Sequence, residues 1–323
     1  MKSNGFFALG PTEWEKACEL GLNPAVAFLV LARGTGRDNV TTRWSAEAVQ
    51  THTGMAWRRA AESIGVLEKA KLASNATQSG KRPIRKLAFP KDLDSALWLP
   101  NALVTGVGNE VPPIARFRQA QNLEHLHAFI ELYGLHDLAG DGGLPRKLVQ
   151  AKFKRAHICE LGQFTVHGFT RADSRQCWAT GPLARFPKRK DGEDSDAWVF
   201  LQTLERMGLL ETVDHLAEGE SPDAELIHAL TGDPEAENVR DAAAMLAASL
   251  PGGFQYEAEQ FDYVLPVMNH IATPAVVGVS RLVYRPHTKL TSAWWAQHCE
   301  SCKRFTATYD ALTSGDYQRA AVA

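Results

Sequence analysis

The chain has 323 residues, of which 45% are hydrophobic, 22% charged and 9% aromatic. These are the proportions of a globular protein, and they exclude a mostly disordered or fibrous chain. At about 100 to 200 residues per domain the length allows two domains or three small ones. A formal net charge of -2 gives no overall preference for a polyanion.

The longest strongly apolar run, Pro24 to Ala32, is far shorter than the roughly 18 to 20 residues of a membrane span. The N-terminal stretch MKSNGFFALGPTEWEK lacks an apolar segment followed by a small-residue cleavage site, so no signal peptide and a cytoplasmic location are expected. Cys18, Cys159, Cys177, Cys299 and Cys302 are too few and too scattered for a disulfide framework and read as reduced thiols. The charge is uneven: +6 over residues 1–90, +2 over 91–187 and -10 over 188–323. A basic first part joined to an acidic last part fits a chain that offers one end to a polyanion; ordinary solvated faces are the other reading.

In chain order, Asn23 as N-cap with Pro24 behind it opens an apolar helix, PAVAFLVLARG, that stops at Gly34. The turn GTGRDN and an extended piece over Val40–Thr42 follow. Ser45 then caps AEAVQTHT, without the Glu or Gln three residues on that would complete a capping box. Gly54 allows a tight turn into MAWRRAAESIGVLEKAKL, where Ala60, Ile64 and Leu67 share a side and Trp57, Arg58, Arg59 and Glu62 lie on others. A helix, a turn with glycine and a second helix with basic residues at its start is the arrangement a helix-turn-helix uses to enter the major groove. Arginine suits that position because its planar fork bonds guanine O6 and N7 or clamps a phosphate. Beyond Leu72, a polar turn around Gly80 leads to Lys81, Arg82, Arg85 and Lys86, interspersed with Ile84 and Leu87. This reads as a basic wing for the DNA backbone or minor groove.

The stretch TTRWSAEAVQTHTGMAWRRAAESIGVLEKAKLA, with GKRPIRKLAF after it, resembles the winged-helix DNA-binding modules of bacterial replication initiators and transcription regulators, especially those of plasmids and phages. The likeness covers about 70 residues. It implies a reading helix over Met55–Ala70, with Trp57, Arg58 and Arg59 near bases or phosphates and Lys81, Arg82 and Arg85 in the wing. Thr53 and Glu62 complete the candidate contacts of this module, in which the large aromatic Trp57 departs from the family's pattern.

Residues 98–121 read as a connector, and NLEHLHAFIELYGLHDL as a long helix ended by GDGG at 140–143. LPRKLVQAKFKRAHI reads as a basic helix carrying Arg146, Lys147, Lys152, Lys154 and Arg155. DAWVFLQTLERMGLLETVDHLAEGESPDAELIHAL reads as a helix followed by two strands around a polar tip. LEKAKLA at 67–73 and LERMGLL at 204–210 share a step from helix into hairpin, which suggests a second, degenerate winged helix. Its supposed wing, Glu218 to Glu225, is acidic, so DNA contact there would fall to the five basic residues above or to Pro187–Lys190, unless these are a solvated helix and a charged loop. From Asp233 the chain reads as a helix broken at PGG, a strand in PAVVGVSRLVYR, and a final helix. The stripe Trp294, His298 or Cys299, Cys302, Phe305 and Tyr309 on that helix suits packing or dimerisation.

His298, Cys299 and Cys302 offer zinc-type ligands, but no second closely spaced pair completes a site, so helix packing is the preferred reading. HLHAFI at 125–130 fits the histidine pattern of rolling-circle nickases, in which a metal activates the phosphodiester and a tyrosine attacks it. The surrounding leucines repeat with helical period, however, and histidines at i and i+2 do not share a helix face. Tyr133 and Tyr263 then read as packing residues. The motifs GxxxxGK[ST], GxSxG and HExxH do not occur.

The expected fold is mainly α with small β-hairpins (α+β): tandem winged helix-turn-helix modules plus a C-terminal α/β region. The expected domains are 1–95, 96–232 and 233–323. The expected function is sequence-specific binding of double-stranded DNA, as a transcriptional regulator or replication initiator of a mobile element, without catalysis, metal or cofactor. A homodimer is the other candidate partner, and no membrane is expected. The alternatives are a protein-interaction module on a winged-helix scaffold and, more remotely, a metal-dependent nickase.

Overall fold

In a computed structural model the protein is described over residues 5–76, 84–90, 92–137, 140, 142–172, 176–177, 180–186, 196–285 and 288–320. Helices and strands are mixed, and the chain divides into two compact units. Unit 1 comprises 1–136, 182–187 and 283–288; unit 2 comprises 137–181, 188–282 and 289–323.

Unit 1 opens with β1 (Phe6–Leu9), α1 (Pro11–Glu19) and α2 (Leu22–Arg33). Every residue of α2 from Pro24 to Ala32 is buried, as expected of a helix that is apolar all round and therefore central. Its N-cap is Gly21 and not Asn23, while its end at Gly34 is where the sequence puts it. β2 (Thr41–Thr42), α3 (Ala46–Thr53), α4 (Trp57–Lys69), β3 (Ala73–Asn75) and β4 (Arg85–Leu87) follow, the strands forming an antiparallel sheet in the order β2-β4-β3. Gly54 adopts φ 67° between the two helices, a left-handed position that glycine takes without a Cβ clash. α4 buries Ala60, Ser63, Ile64 and Leu67, the stripe that its periodicity marks. Gly34 serves close approach: a Cβ there would lie 2.3 Å from the Trp44 ring. β5 (Leu97–Pro100) pairs antiparallel with β1. α5 (Ala102–Thr105), α6 (Pro113–Gln119) and α7 (Leu123–Leu132) complete the unit, with α5 and α6 packed against α2 and α3, and α7 against α1 and α6.

Unit 2 is built on β6 (Val149–Leu161), β7 (Phe164–Arg171), β8 (Gln176–Cys177), α8 (Asp196–Arg206), β9 (Leu210–Ala217) and β10 (Leu226–Ala229). It continues with α9 (Pro234–Ser249), α10 (Phe254–Ala258), β11 (Tyr263–Met268), β12 (Ala275–Leu282), α11 (Lys289–Thr313) and α12 (Tyr317–Ala320). Its seven-stranded sheet runs β10-β9-β12-β6-β7-β11, with β8 also on β6, and every pairing is antiparallel. β12 is buried along its whole length and sits mid-sheet, which explains its run of small and β-branched residues from Ala275 to Ser280. α9 packs on α11, and the stripe of α11 lies in this core, with Cys302 and Tyr309 each 1% exposed.

Two sequence expectations change here. The basic helix over LPRKLVQAKFKRAHI is instead a turn and the strand β6. Val149, Ala151 and Phe153 are buried at a period of two, and the strand pairs with β12 on one stretch and β7 on the other, with a bulge between His157 and Cys159. The kinship of LEKAKLA and LERMGLL has a local cause. Lys71 (φ 61°) and Gly208 (φ 62°) are both left-handed, and in both copies the helix closes by the same two bonds. Lys71 N–H donates to Glu68 O and Leu72 N–H to Leu67 O; Gly208 N–H donates to Glu205 O and Leu209 N–H to Leu204 O. This is a Schellman cap with leucines at its ends, and it accounts for the repeated residues without any duplicated module.

Candidate nucleic-acid interface

The face of α4 opposite its buried stripe carries Arg58, Glu62, Gly65 and Lys69, with Trp57 and Arg59 beside it. Trp57 is 58% exposed, and no ring packs on it among the described residues. Arg58 is exposed over 91% of its side chain and forms an i,i+4 ion pair with Glu62 at 3.1 Å. Such a pair is worth a few tenths of a kcal/mol at ~0.3–0.5, so it orients the guanidinium without sequestering it. Arg59 is exposed. A Cβ on Gly65 would meet nothing within 4 Å. The two small neighbours Ala61 and Gly65 leave the middle of this face low.

Thr53 does not join that surface. It is 1% exposed, its hydroxyl donates to Val49 O at 2.6 Å and accepts from Met55 N–H at 3.1 Å, and its carbonyl accepts from Arg118 Nε at 3.0 Å. Thr53 therefore fixes the turn between α3 and α4. Met55 is buried as well, so the exposed helix begins at Trp57.

In the hairpin, Lys86 is exposed, whereas Arg85 has only 13% of its side chain exposed and binds Glu68 at 3.0 Å, tying β4 to α4. Lys81 and Arg82 lie outside the described residues.

A groove of about 650 Å³ runs beside this hairpin, lined by Arg43, Ser45, Thr51, His52 and Ile84 among others. Trp44 forms its wall, stacked on His52 at 4.9 Å with Arg33 5.5 Å from the ring centroid. Burial, and then the charge of Arg33, hold His52 below its ordinary pKa, and burial lowers Arg33. Ser45 stands at the N-cap of α3, yet its side chain makes no capping bond. The first turn of α3 therefore keeps its N–H groups free of side-chain capping, the usual condition for anion binding at a helix start. The arginine and tryptophan before Ser45 are visible in the sequence, but only the folded groove gathers them with His52 and Ile84.

The basic residues of 146–155 are dispersed. Arg146 donates to Ser221 O and Ala224 O, Lys152 meets Glu220 at 3.5 Å, and Arg155 donates to Pro274 O at 3.0 Å. Lys147 and Lys154 are exposed. Arg146 and Lys152 thus brace the acidic tip between β9 and β10. Pro187–Lys190 falls outside the described residues.

The histidine motif lies within α7. His127 meets Glu131 at 3.3 Å, and Arg185 meets Glu131 at 2.7 Å. Burial alone would raise the Glu131 carboxyl; the bonds from His127 and Arg185 outweigh it and hold it at about 2. Tyr133 is deeply buried and donates to Tyr284 O at 2.7 Å, and Tyr263 donates to Asp214 at 2.7 Å, where burial and the carboxylate push its pKa up. Both phenols are held in the protonated form that a nucleophile must lose. His298 pairs with Asp233 at 3.1 Å, and its ring lies 3.7 Å from Cys302 Sγ. Among the described residues no group of three His, Cys, Asp or Glu could hold a metal ion, and no helix is long and apolar enough to cross a membrane.

No family model matches this chain, and comparison with curated proteins and with solved structures returns no significant match.

Proposed function

We propose that unit 1 carries a winged helix that binds double-stranded DNA at a specific sequence, and that the protein acts without catalysis as a transcriptional regulator or replication initiator. The observation that carries this reading is the order α2-β2-α3-α4-β3-β4 together with an outward face of α4 that begins with Trp57-Arg58-Arg59. That order is helix, strand, helix, helix and hairpin, the plan of a winged helix-turn-helix. On this reading Arg58 and Glu62 face base edges, the low surface at Gly65 lets the helix approach the groove floor, and Arg59 and Lys69 meet phosphates. The free N-terminus of α3, with Arg43 and Ser45, takes a further phosphate, and Lys81, Arg82 and Lys86 serve the wing. Arg85 and Thr53 hold the module together.

The proposal is limited to one such module. β9 and β10 belong to the seven-stranded sheet, and the braces on their tip leave it no role as a wing.

The test is selection from a randomised duplex library at two salt concentrations, with the wild type and Arg58→Ala/Arg59→Ala. Enrichment of one motif, lost in the double variant, supports the reading. Half-sites in a palindrome about one helical turn apart indicate a dimeric regulator, and tandem direct repeats an initiator. Weak, fully salt-screened binding that ignores the mutation would overturn it in favour of a protein-interaction module, for which the exposed Trp57 would be the anchor.

A further inference from the structure

Unit 2 contains a cavity of about 380 Å³ between α11, the β9–β10 hairpin and β11. Its size falls in the range of small-molecule sites, about 300 to 1,000 Å³. Phe164, Leu226, Ile227, Val267, Met268 and Phe305 supply an apolar lining.

The polar groups of its floor are already satisfied. His228 Nδ1 lies 3.2 Å from Ala229 O, a carbonyl that can only accept, so Nδ1 carries the proton and Nε2 is an acceptor. Tyr309 Oη therefore donates to His228 Nε2 at 2.8 Å. Thr308 donates to Arg304 O at 3.0 Å. Burial depresses His228, which lies behind the lining, to about 3, and the lining hydroxyls of Tyr309 and Thr308 are both engaged, so this wall offers no free hydroxyl donor. An occupant's body must be apolar.

The rim is different. Glu218 and Glu225 line the hairpin wall directly opposite each other, since Glu218 N–H donates to Glu225 O at 2.9 Å. Both side chains are exposed, and among the described residues neither carboxylate has a cation within 4 Å. Like charges facing each other across a hairpin repel, and a cation between them relieves the repulsion. Arg304 and His270 stand on the rim too, but the two carboxylates outnumber Arg304, and residues 188–323 carry a net -10.

We propose that this cavity binds an amphipathic amine: an apolar or aromatic body inserted against Phe305 and Met268, with a protonated nitrogen held between Glu218 and Glu225. The site is independent of the DNA reading, because every residue in it belongs to unit 2.

Calorimetric titration of the intact protein with three matched probes tests it: 4-phenylbutylamine, 4-phenylbutanol and 4-phenylbutyrate. The amine is expected to bind about tenfold tighter than the alcohol, the gain of one charge-assisted contact, and the carboxylate weakest. In Glu218→Gln/Glu225→Gln, at exposed positions where folding is not at risk, amine and alcohol should bind alike. Ile227→Trp, which fills the cavity, should abolish binding of all three probes. Preference for the carboxylate, an amine advantage that survives the double glutamine variant, or absence of binding by every probe overturns the proposal.

Discussion

The hairpins after α4 and after α8 begin identically and end differently. Both follow a Schellman cap with a left-handed residue and a leucine on each side, so the chain leaves both helices in the same direction. Beyond that point β3 and β4 pair only with each other and with β2, while β9 pairs with β12 over eight residue pairs and with β10 over three. The first hairpin carries the exposed Lys86 on β4; the tip of the second is tied down by Arg146, which donates to Ser221 O and Ala224 O, and by Lys152, which pairs with Glu220. A shared local motif fixes how a helix stops, and the partners of the following strands decide what the hairpin becomes.

The largest expected effect lies on the first of these regions. Arg58→Ala/Arg59→Ala should weaken specific DNA binding by about 2–4 kcal/mol, a factor of roughly 30 to 1,000, measured as the dissociation constant for the selected site. Substituting Lys154→Ala in unit 2 should leave it unchanged; an equal loss there would break the distinction between the two regions.

The caps predict opposite signs. Gly208→Ala puts a Cβ on a left-handed residue and should destabilise by about 1–2 kcal/mol, whereas Lys71→Gly relieves the same strain and should stabilise by up to about 1 kcal/mol. Urea unfolding midpoints measure both. Like signs would mean that the two caps are not equivalent.

Gly65→Ala should stabilise α4 by about 1 kcal/mol, because nothing within 4 Å resists the new Cβ, and yet weaken DNA binding. A variant that gains both stability and affinity would argue that Gly65 does not face the groove.

The mildest expected effect is an acid dependence in unit 1. The Glu131 carboxyl is held at about 2 against an ordinary 4.5, so the native state binds fewer protons than the unfolded chain in that interval. Its contribution is complete above the unfolded value and is lost as pH falls through about 2. Thermal unfolding from pH 6 down to pH 2 should therefore show wild type and Glu131→Gln separated at the upper end and converging at the lower. Parallel curves would contradict the ion network.

The HLHAFI segment shows how far pattern alone reaches. Leucines at helical spacing outweighed the resemblance of two histidines to a metal motif, and the helix is there. The stripe of the last helix was equally legible, as was the Ala60, Ile64 and Leu67 face of α4. Within the candidate interface, Trp57, Arg58, Arg59 and Glu62 are exposed as their positions on the helical wheel require. Thr53 and Arg85 turn inward instead, because a polar side chain near a turn can face either way. Its direction depends on partners such as Val49 and Glu68, which no spacing rule identifies.

What the sequence by itself determined is local: where α2 and α4 end, how both caps close, and which side of each helix is apolar. Backbone propensity, glycine placement and the 3.6-residue period act within a few residues. Only the tertiary structure decided that residues 149–161 form a strand, that Arg146 braces a distant tip, and that Arg43, Trp44, His52 and Ile84 share one groove. A strand has no hydrogen-bond partners of its own; β6 is satisfied by β7 over eight residue pairs and by β12, more than 100 residues further along the chain, over two, and these pairings overrode a segment that also fits a basic helix.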